Sequence, residues 1–444
     1  MAMQVSRRNF LKIGLVTGVA SALLPALQGC VAPPPGQQAP AGPINLRYWS
    51  TAGSPAMYQD IIVPKSIEWA SSNNIQFEFV QVPYSDFEAK YLSAFASREN
   101  APDLFVGVVS FWAGSANVAD KMPDALAQRL ETEVVDAIKP GYKMQGAWMG
   151  LSDSGVPGFG PMLIYNPDDF VEVGLDPAKP PTTMDELIEY ARLLVQRDSS
   201  GTITRSGFAM RYDGALGLGV ATKFFPFLHS FGGRMFDPET GKAQGFANSP
   251  ETIEAVEYVT NFTQTEHLSS TTLGVPEVQF GQRKASMMFR EGHMIGWIPT
   301  NYPGVNFEFA PIPKAAFVGM GLHGLDSWAP LVYKFGANKA AAWDYLDKVI
   351  YTAPAELEAT NHPSIQGVPT FKANWETEYT KTRKDYDVLQ YALANAQGAT
   401  YMHPKTGKMA DRFALGVQEA MLGKSNPKDA MDAAATDMEK ILAS

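Results

Sequence analysis

Residues 75–109 read IQFEFVQVPYSDFEAKYLSAFASRENAPDLFVGVV, and this stretch decides the fold. Ile75 to Val82 alternates apolar and polar residues at period 2, the pattern of a half-buried strand. From Tyr84 to Arg98 the apolar residues recur at helical spacing. Asn100-Ala101-Pro102 ends that helix, and Asp103 to Val109 is a short apolar run that reads as a strand. Strand, helix, strand in this order predicts a βαβ unit and therefore a parallel sheet. Upstream, Ile44 to Ser50 (INLRYWS) alternates in the same way, and Met57 to Ala70 keeps helical spacing in spite of Pro64.

Downstream the α/β pattern is interrupted near Gly150 by the Gly/Pro-rich GLSDSGVPGFGP, followed by the apolar run Met162 to Tyr165. Such a break inside a regular pattern is a candidate crossover between lobes. Pro181-Thr182-Thr183-Met184-Asp185-Glu186 then starts a helix, with Thr182 or Thr183 as N-cap, acids in the first turn and a stripe Leu187, Tyr190, Leu194. Further strands are expected at Ser206 to Met210 and Ala285 to Phe289. Helices are expected at Pro250 to Thr263, Lys339 to Tyr351, Tyr386 to Ala396, Asp411 to Leu422 and Pro427 to Leu442.

The N-terminus is of another kind. Ser6-Arg7-Arg8-Asn9-Phe10-Leu11-Lys12 precedes an uncharged segment from Ile13 to Leu27 and then Gln28-Gly29-Cys30, the layout of a twin-arginine export signal. The uncharged segment is shorter than the ~20 residues of a membrane span. Cys30 is the single cysteine, so no intramolecular disulfide can form. Residues 1–30 resemble a bacterial lipoprotein signal, in which Leu27, Gly29 and Cys30 fit the lipobox and Gln28 departs from it; the resemblance implies acylation of Cys30. Val31 to Pro43 is uncharged and rich in Pro, Gly, Gln and Ala, as expected of an extended tether.

The remaining ~400 residues exceed one hydrophobic core and imply two lobes. Removing the leader takes away Arg7, Arg8 and Lys12 and no acid, so the net charge moves from −10 to −13. An acidic body without basic runs argues against nucleic acid and against electrostatic docking on anionic lipid. No GxSxG, HExxH, CxxC or GxxxxGK[ST] occurs, and the six histidines lack metal-ligand spacing, so no cofactor, metal or catalytic group is expected. Gly217-Leu218-Gly219 is a lone Gly pair, far short of a nucleotide fingerprint.

Five segments, taken in order, are similar to the family 1 extracellular solute-binding proteins, the maltodextrin-binding-protein-like sugar receptors of ATP-driven (ABC) importers. They are FEFVQVPYSDFEAKYLSAFASRENAPDLFVG, LIYNPDDFVEVGLDPAKPPTTMDELIEYARLL, FLHSFGGRMFDPETGKAQGFANSPETIEAVEYVTNF, FGQRKASMMFREGHMIGWI and FAPIPKA. Many residues in them, such as Tyr165-Asn166-Pro167, Gly232-Gly233 and Asn248-Ser249-Pro250, mark turns and helix starts and not chemistry. The resemblance implies a type II periplasmic-binding-protein-like α/β fold: two α/β lobes, hinge crossings, and a ligand cleft between them. It places crossings near Asp153 to Pro161 and Leu322 to Leu331, with an N-lobe of 44–154 plus 326–375 and a C-lobe of 155–325 plus 376–444. A monomer that hands its ligand to a membrane permease is expected.

A sugar cleft needs flat aromatic faces and short polar or carboxylate side chains, carried on loops at strand C-termini and at the crossings. The expected ligand-binding residues are Ser50, Thr51, Ser110, Phe111, Trp112, Asp153 and Phe159, then Arg211, Tyr212 and Asp213, then Met294 and Trp297, and finally Asp326, Trp328 and Phe413. Ser154, His323, Ser327 and Arg412 border them. Two other ligand classes stay open. Arg211 and Arg412 together facing the cavity would favour an anion such as a glycerol phosphate derivative, and Asp153, Asp213 and Asp326 together a polyamine or other cation. A secreted carbohydrate-active enzyme, with Asp153 and Asp326 as a carboxylate couple, is the alternative from another class.

Overall fold

The computed structural model describes residues 42–51, 55–83, 86–98, 100–155, 161–212, 217–314, 327–362, 367–395 and 401–444. Cys30, Phe159, Asp213, His323 and Asp326 lie outside the described residues. Strand β1 (Ile44–Ser50) pairs in parallel with β2 (Ile75–Gln81), Tyr48 opposite Phe79. On its other side it pairs in parallel with β3 (Leu104–Val108), Trp49 opposite Phe105. Helices α1 (Val63–Ser72) and α2 (Phe87–Ser97) make the connections, as the βαβ reading requires. The predicted helix over Met57 to Ala70 forms with a wide π-turn at Tyr58–Ile62, and Pro64 stands in the first turn of α1. There its missing N–H costs little, which is why the helical spacing survives a proline.

Helix α3 (Asp124–Glu133) and a short hairpin lead to the first crossing. Strand β4 (Met162–Tyr165) opens a second sheet, Asn166 capping the helix after it by accepting from the N–H of Asp168 at 2.9 Å. Helix α4 (Met184–Leu194) starts at a capping box, Thr183 Oγ1 accepting from the Glu186 N–H and the Glu186 carboxylate from the Thr183 N–H. Helices α5 (Gly217–Ser230) and α6 (Pro250–Thr260) follow, Ser249 capping the latter. The second sheet is antiparallel, with β4 between β5 (Met287–Arg290) and β6 (Glu308–Ala310).

The strand expected at Ser206 to Met210 is not a full ladder. Ser206 bridges Ala285 in parallel, and the Ala209 N–H donates to the Met287 carbonyl at 2.8 Å, but between them Gly207 turns to Leu268. A Cβ on Gly207 would stand 2.1 Å from the Ala191 carbonyl of α4, so only glycine allows this approach.

The chain then returns to the first sheet. Strand β7 (Trp328–Val332) runs antiparallel to β3, Trp328 opposite Val108, giving the order β7-β3-β1-β2. Helices α7 (Thr406–Met421) and α8 (Pro427–Ala443) close the second half, α7 beginning five residues before its expected start. Two hydrophobic cores result. The central sheet strand β4 feeds both by alternation: Met162 and Ile164 point into the first core, Leu163 and Tyr165 into the second. Residues 43–444 form one compact unit, and no helix among the described residues is long and apolar enough to cross a membrane.

Candidate functional site

Parallel strands β1 and β3 end on the same edge of the first sheet, and β7 enters the sheet there. The Val109 N–H donates to the Ser327 carbonyl at 3.0 Å, and the Val82 N–H to the Ser50 carbonyl at 2.7 Å. The topology thus brings Ser50, Thr51, Ser110 and Ser327 to one rim, all buried. Thr51 Oγ1 and Ser327 Oγ have no hydrogen-bond partner among the described residues. A buried hydroxyl of this kind calls for a partner. Phe111 and Trp328 flank the rim, both half-buried, the first edge-on to Trp112 and the second 5.7 Å from Phe87.

Other expected ligand residues are placed in the interior, and each placement has a local cause. Trp112 is 1% exposed, with the rings of Tyr91, Phe95 and Phe105 5.5–5.6 Å away. Its indole lies over Gly107, where a Cβ would come within 2.2 Å. The π-turn Ser110–Ser115 sends Phe111 outward and Trp112 into the core. Asp153 is buried, its Oδ2 accepting from the hydroxyls of Tyr48 at 2.9 Å and Tyr58 at 2.6 Å. Burial raises its pKa, against the lowering by these donors. Asp153 thereby ties the segment before residue 156 to Tyr48 and Tyr58, its Oδ2 engaged by both hydroxyls.

In the second lobe, Tyr212 is buried and donates its hydroxyl to the Ser269 carbonyl at 3.2 Å. Met294 is 1% exposed, and Phe413 is fully buried in the second core, 6.0 Å from Phe224. Trp297 is half-buried against Tyr302, at 5.6 Å between ring centres. Arg412 pairs with Asp437 at 2.8 Å.

Arg211 belongs to a network that sequence reasoning missed. Its Nη1 lies 3.1 Å from Glu277, which also pairs with Arg290; Arg290 Nε in turn lies 3.1 Å from Glu291, and Glu291 pairs with Lys223. Burial alone would raise the Glu277 pKa, but Arg290 and Arg211 overcome it and hold the carboxyl at about 2. Burial likewise opposes ionisation of Glu291, and Lys223 and Arg290 keep it well below the carboxylate range. The network borders a pocket lined by Met210, Arg211, Lys223, Phe224, Phe289 and Met421 among others. Its charged side chains come from the segment before α5 (Arg211), from α5 itself (Lys223), from the first turn of the short helix Pro276–Gly281 (Glu277) and from the end of β5 (Arg290 and Glu291), four segments whose spacing in sequence carries no motif.

Among the described residues no group of three or more His, Cys, Asp or Glu is placed to hold a metal ion. The arrangement is a rim of small hydroxyls and aromatics at one edge of the first sheet, with paired charges around Arg211.

Residues 50–352 match the family model of the bacterial extracellular solute-binding proteins. The chain belongs to that family. Solved structures with the same fold support the two-lobed type II binding-protein architecture. A solute-binding protein of an ABC transporter from Thermotoga lettingae, bound with α-D-tagatose, superposes with a TM-score of 0.74 at 19% identity, covering 90% of this chain and 100% of that one. The cyclic α-maltosyl-1,6-maltose binding protein of Arthrobacter globiformis gives 0.70 at 22% identity, over 90% and 99%. A maltose/maltodextrin-binding domain from Bdellovibrio bacteriovorus, bound to maltotriose, gives 0.72 at 15% identity, over 90% and 100%. This solute-binding protein thus shares its architecture with binding proteins.

Proposed function

We propose that this solute-binding protein is the receptor of an ABC importer, held at the membrane through a lipid on Cys30, that captures a carbohydrate by closure of its two lobes and passes it to the permease. The lobes in this reading are 44–154 plus 326–375 and 155–325 plus 376–444. Several structural neighbours were solved with sugars or a polyol bound, and the family as a whole binds solutes outside the cytoplasm.

The observation that carries the ligand class is the state of the charged groups. Arg211 is paired with Glu277 and Arg412 with Asp437, which disfavours an anionic ligand. Asp153 is occupied by two tyrosine hydroxyls, which removes one carboxylate of the cation reading and one of the enzyme reading. Among the described residues, the rim carries the hydroxyls of Thr51, Ser110 and Ser327 beside Phe111 and Trp328. A neutral polyhydroxylated ligand with an apolar ring face matches that chemistry. Binding without turnover needs only a higher affinity for the closed state, and transport energy comes from the separate ATPase.

A thermal-shift screen of residues 43–444 against mono- and oligosaccharides, polyols, glycerol phosphates and polyamines tests this. A ligand at a hundred times its Kd adds ~2.7 kcal/mol, so a sugar or polyol should raise the Tm with no product formed. Stabilisation by phosphates or amines alone would overturn the ligand class, and turnover of a glycoside would overturn the receptor role.

A further inference from the structure

The two cores touch at a place remote in sequence from any crossing. Ser115 closes the π-turn Ser110–Ser115, whose Trp112 and Ala113 belong to the first core. Its Oγ donates to the carbonyl of Pro404 at 2.6 Å, 289 residues away. Pro404 stands just ahead of α7, whose Met409, Ala410 and Phe413 belong to the second core. Two glycines let the backbones meet. A Cβ on Gly114 would lie 3.0 Å from Pro404 Cα, and a Cβ on Gly407 would lie 3.0 Å from the Phe111 ring and 3.7 Å from Ser115 Oγ. Gly407 is buried in the first turn of α7, a position where helix propensity alone disfavours glycine. Its absent side chain is therefore explained by the ring of Phe111.

We propose that Ser115 and Gly407 form a latch between the two lobes of the reading above, 44–154 with Ser115 and 376–444 with Gly407, which favours their approach and so sets ligand affinity without either residue serving as the recognition group. The proposal rests on the receptor reading above. A ligand that binds the closed form gains or loses apparent affinity in proportion to how much of the unliganded protein is closed. A contact made only when lobes approach shifts that fraction directly.

The test uses residues 43–444, one compact unit that lacks Cys30 and so has no native thiol. Spin labels at Lys121→Cys in the first lobe and Lys428→Cys in the second, both exposed, report the lobe separation by electron–electron resonance. Ser115→Ala removes one hydrogen bond at an exposed position and should lower the closed-to-open ratio about fivefold. Gly407→Val drives a branched side chain against Phe111 and should lower it at least as far, with folding checked by the melting transition. The sugar that stabilises the wild type should bind Ser115→Ala more weakly by the same factor. Distance distributions unchanged in both variants would overturn the latch. If no sugar binds at all, the carbohydrate reading fails, while the distances still decide the latch.

Discussion

At the scale of single residues, burial and donors compete for the same carboxylates, and Glu356 shows which wins. It is 1% exposed and accepts from the N–H groups of Thr370 and Phe371 and from Asn374 Nδ2. Burial nevertheless pushes it up to about 7. The folded protein therefore keeps a proton that the unfolded chain releases near pH 4.5. Its favourable contribution is complete below that pH and lost as the pH rises through about 7, a change of about 3 kcal/mol at ~1.36 kcal/mol per pKa unit. Glu356→Gln should be less stable at pH 4.5, because its amide faces donors, and the difference from wild type should shrink to near zero or reverse as pH rises to 7. Urea unfolding at several pH values measures this, and a constant difference would refute it. At the rim, Trp328→Ala should weaken sugar binding by about 1–3 kcal/mol; unchanged affinity in a folded variant would place the indole away from the ligand.

At the scale of elements, local signals were reliable where they were local in cause. The capping box of α4 was legible in Thr183 and Glu186 because both partners lie within one turn. Thr183→Ala should cost about 1 kcal/mol in chemical denaturation, with an unchanged m-value. Strands β1 to β3 were legible from alternation and turn residues. Helix α5 was not, because Ala221, Phe224, Phe225, Phe227 and Leu228 are all buried, so it lacks the polar face that makes a helical period readable. The strand ends that bring Ser50, Ser110 and Ser327 to one edge were legible, since turn residues bound each strand. Trp112 and Asp153, both expected among the ligand residues, are buried, because the π-turn and two tyrosine hydroxyls from distant segments decide where those side chains go. The Arg211-Glu277-Arg290-Glu291-Lys223 network was invisible for the same reason, being assembled wholly by tertiary folding.

At the scale of the molecule, the proposed function requires a receptor that stays near a permease, and on that reading its charge does not help. A body with net charge −13 is repelled by anionic lipid, and the tether from Val31 to Pro43 carries no charge to compensate. Retention must then come from hydrocarbon. Acyl chains contribute about 0.8 kcal/mol per buried CH₂, and one chain alone holds a protein only reversibly, so stable retention calls for more than one chain at residue 30. Cys30→Ser removes the one thiol that can be acylated and leaves residues 43–444 unchanged. In fractionated cells the wild type should sediment with membranes, and the variant should move to the soluble exported fraction with the same melting temperature. A variant that still sediments would show that the leader segment from Ile13 to Leu27, and not a lipid, is the anchor.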